Sequence, residues 1–318
     1  MEHGLGLVTG LAAALADVLG ATDVEEPTRL SGGASRETFR FTADGRPLIL
    51  QRQRAGDVRD MGVEAAALRA ARAAGVPVPE LVASSNVASE IGSAYMVLGW
   101  VDGETIARKI QRDERFAAAR DALPGQFGAA LARLHRIDPS SVPGLAAGDQ
   151  VRQYREVFDS FGDPHPAFEL AFRWLERNRP PASEPRVVHG DFRLGNVMVD
   201  EAGLAAVLDW ELVHVGDPME DLGWLCVRAW RFGGARPVAG LGDYRQLCDA
   251  YAEESGVEVD LDVVRWWEVL GTLKWGIMCM MQANVHLSGA SRSHELAAIG
   301  RRVCENEYDL FLALEGRW

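Results

Sequence analysis

The chain has 318 residues, of which 47% are apolar and 25% charged, with a formal net charge of −13. That is enough chain for two sizeable cores, and the composition excludes a low-complexity or fibrous protein. The acidic balance excludes a broad basic face of the kind that holds nucleic acid.

Residues 5–20 carry Leu and Val at helical spacing and predict an opening helix. The same stretch reads as a poor signal peptide, since Glu2 and Asp17 flank or interrupt it and no Lys or Arg precedes it, and as too short to span a membrane. Beyond Pro27, residues 30–41 predict strand, turn and strand, with small residues including Gly32, Gly33 and Ser35 at the tip. Asp44-Gly45 predicts a second hairpin turn before the strand Pro47 to Arg52. Strand alternation puts Gln51 and Arg52 on opposite faces, so only one of them enters any cleft beside the sheet. Residues 57–74 form an Ala-rich helix closed by Gly75, with Glu64 in its first half. Pro77 and Pro79 force an extended connection. Tyr95 to Val101 is an apolar strand running into a turn.

From Glu104 onward the pattern is mostly helical. Phe127 to Ile137 is amphipathic, with His135 on its apolar face as a core histidine. Residues 138–150 read as a loop, and 151–178 as two helices. Residues 222–318 read as all-helical, with 263–285 apolar almost all round and therefore buried. Its Trp266, Trp267, Trp275, Met278, Met280 and Met281 are expected to pack the core. If some of them line a pocket, that pocket is apolar. The acidic run Glu253, Glu254, Glu258, Asp260 and Asp262 reads as a solvated loop. The four cysteines, Cys226, Cys248, Cys279 and Cys304, are widely spaced and expected as buried free thiols in a reducing compartment. The seven histidines lack metal-type spacing.

The most informative stretch is Val187 to Glu211. Its apolar runs 186–188, 197–199 and 206–208 are each short and β-prone, and each ends near a polar residue. Asp191 follows the first run, Asn196 stands before the second, and Asp209 ends the last. Two carboxylates and a carboxamide in this pattern are what phosphoryl transfer with magnesium requires: one group to orient or deprotonate a hydroxyl, two oxygen donors for the metal.

The sequence His189-Gly190-Asp191-Phe192-Arg193-Leu194-Gly195-Asn196, followed by Leu208-Asp209-Trp210-Glu211, resembles the aminoglycoside phosphotransferase (APH) family of small-molecule kinases. It looks most similar to the branch also found fused to acyl-CoA dehydrogenases. The resemblance implies an α+β, protein-kinase-like fold in two lobes. These would be a small N-terminal antiparallel sheet lobe over 1–98 and a larger helical catalytic and substrate-binding lobe over 99–318. It implies Asp191 as catalytic base, and Asn196 and Asp209 as ligands of one or two magnesium ions. It implies a phosphate-covering turn at Gly32, Gly33 and Ser35, and a strand cation paired with Glu64. No Lys stands on the strand 47–52, and Arg52 is favoured over Gln51 for that cation because a positive charge is needed there. A hinge at Leu98, Gly99 and Trp100 would meet the adenine with main-chain donors or acceptors. His189, Asp217 and Asp221 would support the catalytic loop, and Glu211 would approach the metal through water.

The expectation is therefore an ATP-dependent phosphotransferase (GTP being the other nucleotide option) acting on a hydroxyl of a small molecule. The acceptor is either a hydroxyacyl-CoA or hydroxy acid metabolite or an aminoglycoside-like compound. The chain is expected to be cytoplasmic, with no nucleic-acid or membrane partner, and its oligomeric state is not legible. A second class is a nucleotide-binding regulator of pseudokinase type, motivated by the missing strand Lys. A metal-dependent hydrolase is weakened by the lack of a histidine ligand cluster.

Overall fold

The computed structural model describes residues 5–30, 36–54, 59–88 and 91–318. The turn residues Gly32, Gly33 and Ser35, expected to cover phosphates, lie outside the described residues.

The chain opens with α1 (Leu5–Leu19) and then builds a five-stranded antiparallel sheet in the order β1-β2-β3-β5-β4. The strands are β1 (Thr28–Arg29), β2 (Arg36–Ala43), β3 (Arg46–Gln53), β4 (Leu81–Ser85) and β5 (Tyr95–Gly99). Asp44 and Gly45 both take positive φ, +46° and +78°, as a tight two-residue hairpin between twisted strands demands. The Asp44 carboxylate adds to this by accepting from the Thr22 and Asp23 amides. Helix α2 (Met61–Ala73) crosses one face of the sheet. It is capped by Asp60, whose side chain accepts the Gly62 N–H.

Period-two alternation divides the sheet cleanly. Phe39, Phe41, Leu48, Leu50, Tyr95 and Val97 face α1 and close a core with Leu11 and Leu15. The other parity of β2 and β3, including Arg36, Thr38, Ile49 and Gln51, faces the remainder of the molecule.

After Gly99 the chain becomes mainly helical: α3 (Ala107–Arg112), α4 (Ala117–His135), α5 (Gln150–Phe161) and α6 (Pro166–Arg177). Four short strands follow, pairing as two ribbons. In one, β6 (Arg186–Val188) pairs with β9 (His214–Gly216). In the other, β7 (Val197–Val199) pairs with β8 (Leu204–Val207). The chain ends in α7 (Met219–Cys226), α8 (Tyr244–Ser255), α9 (Leu261–Leu287), α10 (His294–Gly300) and α11 (Val303–Leu314).

The β7–β8 ribbon is tied on two sides. Val199 and Glu104 exchange backbone hydrogen bonds at 3.0 and 2.8 Å, and Val207 N–H donates to Pro77 O at 2.8 Å. The largest core runs without a break from α2 through α4 to β6–β8 and α7–α9. A second core packs α5 and α6 against α9 and α11.

The expected helix at Phe127 extends ten residues upstream, to Ala117. All four cysteines are free and helical, but only Cys226 and Cys279 are buried; Cys248 is half-buried and Cys304 exposed. Among the described residues no helix is long and apolar enough to cross a membrane.

Candidate active site

The chain from β6 to α7 forms the floor of a cavity of about 1010 Å³ between the sheet and the helices. Asp191, Asn196 and Asp209 all line it. The turn after β6 depends on Gly190, whose φ is +78°; a Cβ there would come within 2.6 Å of Leu212 O. This lets the backbone reverse tightly enough to deliver Asp191 to the cavity floor.

The Asp191 carboxylate is held by three donors. Oδ1 accepts from Trp224 Nε1 at 2.8 Å and from Arg193 Nε at 3.0 Å, and Oδ2 accepts from Asn196 Nδ2 at 2.5 Å. Asn196 Nδ2 also donates to Asp191 O at 3.1 Å. Both contacts of the amide use Nδ2; a carboxamide ligates a cation through its other atom, Oδ1.

Asp209 lines the cavity, open to solvent, and sits at φ +60°, a left-handed conformation that a non-glycine residue holds only at some cost. Burial, with the nearby charges of Glu211 and Asp191, pushes its carboxyl up to about 6. Among the described residues no group of three His, Cys, Asp or Glu side chains is placed to cage a metal. An oxygen set of one carboxylate and one carboxamide, with Asp191 beside it, fits magnesium. That ion keeps several waters and takes the rest of its ligands from phosphate oxygens.

The loop is braced from beneath. Asp221, fully buried, accepts from His189 N–H at 2.8 Å and Gly190 N–H at 2.9 Å. His135 lies between Asp221 Oδ2 (3.1 Å from Nε2) and the Tyr251 hydroxyl (3.0 Å from Nδ1), which makes it the satisfied core histidine expected. His189 Nδ1 accepts from Asp191 N–H at 3.2 Å, which leaves Nε2 to donate to Leu208 O at 3.0 Å. It thus ties the Asp191 loop to the strand end that carries Asp209, and burial holds its pKa low, in keeping with a neutral ring. Asp217 works more locally, accepting from Met219 N–H at the start of α7. Lys274 of α9 donates to Gly190 O and to Glu220 Oε1, both at 3.2 Å.

One expectation needs correction. Arg52 does not enter the cleft and does not meet Glu64. It shares a face with Leu48 and Leu50, packs over the Phe39 ring, and pairs with Glu37 at 2.6 Å. Gln51 takes the cleft-side position, and the partner of Glu64 is Arg36 of β2, in a buried ion pair. Glu211 accepts from Arg59 at 2.6 Å and lies 3.8 Å from Arg36, on the cavity lining two residues beyond Asp209.

At the expected hinge, Leu98 lines the cavity, but the Gly99 and Trp100 amides are used within the fold. They donate to Glu80 O at 2.8 Å and Pro47 O at 3.2 Å. The aromatic and sulfur residues of α9 divide. Trp266 and Met280 pack the second core, Met281 is exposed, and Trp275 and Met278 line the cavity with Trp224 and Trp230.

Sequence reasoning passed over Arg36, Arg59, Trp224, Trp230 and Lys274. Lys274 carried a usable signal, being a lone ammonium on a helix apolar all round, where a charge must find a partner.

Residues 26–257 match the family model of the phosphotransferase enzyme family, APH, and the chain belongs to that family. Solved structures share the fold. A candidate aminoglycoside phosphotransferase from Ralstonia eutropha superposes with a TM-score of 0.75 at 20% identity, covering 95% of this chain and 98% of that one. A choline/ethanolamine kinase family protein from Mesorhizobium loti gives 0.67 at 19% identity, over 97% and 95%. The aminoglycoside phosphotransferase APH(4)-Ia, solved with ADP and hygromycin B, gives 0.66 at 15% identity, over 96% and 98%. Among curated proteins, acyl-CoA dehydrogenase family member 11 of Gallus gallus is 28% identical over 310 residues, covering 88% of this chain. Family member 10 of Mus musculus is 27% identical over 224 residues, 65% of this chain. The chain spans 40% of the length of the first and 21% of the second.

Proposed function

We propose that this chain is an ATP-dependent kinase that transfers the γ-phosphate to a hydroxyl on a small molecule with an apolar body. The observation that carries the reading is that Asp191, Asn196 and Asp209 share one cavity, which continues into a wall of Trp224, Trp230, Trp275, Met278, Val285 and Leu296.

Asp191, fixed by three donors, accepts the acceptor hydroxyl's hydrogen bond, aligns its oxygen and takes its proton late. Asn196 and Asp209 would hold magnesium, whose charge would offset that of the phosphates. The adenine would lie beside Leu98, with Gly99, Trp100 and Val101 on the same stretch of the lining. Little covalent chemistry is left for the protein beyond positioning and charge.

The acceptor wall favours a neutral or anionic compound over a polyamine. The aromatic faces that would attract a cationic substrate already meet cations of the chain itself. Arg193 sits 4.5 Å from the Trp230 ring centroid, and Lys274 Nζ 4.8 Å from that of Trp224. A hydroxy acid or hydroxyacyl thioester is therefore preferred to an aminoglycoside.

The test is an ATP-consumption screen over hydroxyacyl-CoAs, hydroxy acids, amino alcohols and aminoglycosides, with products identified by mass. Phosphorylation of a hydroxyacyl compound, abolished in Asp191→Asn while nucleotide binding persists, is expected. Turnover of aminoglycosides alone would overturn the acceptor class. Magnesium-dependent ATP binding without transfer to any compound would favour the regulator, a reading that drew on the missing strand Lys.

A further inference from the structure

With Gln51 on the cleft face of β3 and Arg52 on the opposite face, β3 offers the nucleotide no cation. We propose that Arg36, on the neighbouring strand β2, is the residue that binds the nucleotide phosphates in this chain. The inference rests on the nucleotide reading above.

Arg36 lines the cavity together with Gln51, Glu64, Asp209 and Glu211, and its side chain is 7% exposed. Its Nη2 pairs with Glu64 of α2 and lies 3.8 Å from Glu211, two residues beyond Asp209. Its Nη1 reaches Gln51 Oε1 at 3.4 Å. The guanidinium is therefore pinned between the helix on one side of the cleft and the metal-binding segment on the other.

A guanidinium has five N–H donors, and these contacts use only part of them. Nε is buried without a hydrogen-bond partner among the described residues, and so is Glu64 Oε2. A buried charged group with an unmet donor is costly in a finished structure. Phosphate oxygens entering the cleft beside Asp209 would meet the guanidinium where it borders the cavity, drawing it into a fork that uses its unpaired donors.

The competing account is that Arg36 only fastens α2 to the sheet. The two separate in the binding of ATP against adenosine, which lacks phosphates. Arg36→Gln should weaken magnesium–ATP binding by tenfold or more in calorimetry, with adenosine affinity unchanged. Arg52→Gln, on the far face, should stay within twofold for both. Adding Gln51→Lys to Arg36→Gln, which returns a cation to β3, should recover part of the ATP affinity.

The proposal is overturned if folded Arg36→Gln binds ATP as wild type does, or loses ATP and adenosine equally. Should Arg36→Gln fail to fold, Arg36→Lys serves to assign the Arg36 Nε–H resonance in the wild-type protein. A shift of that resonance with ATP but not adenosine supports the role, and no shift with ATP overturns it. If wild type binds no ATP at all, the nucleotide reading itself fails, a different outcome from Arg36 being idle.

Discussion

Trp224 of α7 donates its indole N–H to Asp191 Oδ1 at 2.8 Å, so a residue of the acceptor wall also fixes the orientation of the candidate base. Trp224→Phe keeps most of the ring and removes the donor. A hydrogen bond to a charged group contributes about 1.5–3 kcal/mol. The variant should lose about tenfold or more in kcat while its ATP affinity is unchanged, as read from steady-state kinetics with calorimetry alongside.

Asp221 holds two consecutive amides of the Asp191 loop as well as His135. Asp221→Ala leaves buried donors without acceptors. Breaking such a buried network costs about 3–5 kcal/mol. Denaturant unfolding should show a loss of that order.

Lys274 and Glu220 form a buried pair under the same loop. Lys274→Met alone strands the Glu220 charge beside His214 and should destabilise by about 3 kcal/mol or more. Glu220→Gln added to it should recover part of the loss. A double-mutant cycle in which the two changes simply add would deny the coupling.

Asp209 supplies a pH signature. Burial and two neighbouring carboxylates raise its folded-state value to about 6. An acid raised above its unfolded value adds stability that is complete below the unfolded value and lost as pH rises through the folded one. Without metal, the chain should therefore lose stability between pH 4 and pH 7 from this group, by about 1 kcal/mol once solvent screening of the exposed carboxyl is counted. Asp209→Asn should flatten that part of the profile. Magnesium, which neutralises the carboxylate, should raise the wild-type Tm more at pH 7.5 than at pH 5, and should do little for Asp209→Asn.

The strands that carry Asp191, Asn196 and Asp209 were legible because their signals are local: short β-prone runs, each ended by a polar side chain. The helices were legible for the same reason, with boundaries off by a turn or more at α4. The strand cation was harder. Alternation says that Gln51 and Arg52 part company, but not which of them turns to the cleft. That depends on α1, which takes the more apolar parity, Leu48 and Leu50, and carries Arg52 along with it. The tryptophans of α9 posed the same problem, since a helix apolar all round does not show which side borders a cavity.

The two fastenings of the β7–β8 ribbon bear on how the cleft can open. The ribbon is clipped to Glu104, just beyond β5, and to Pro77, just ahead of β4. Asn196 and Asp209 flank that ribbon. A rocking of the sheet relative to the helices would have to shear both clips or bend elsewhere. The geometry thus favours a stiff frame around the candidate metal site, with the adjustable parts placed at its rim.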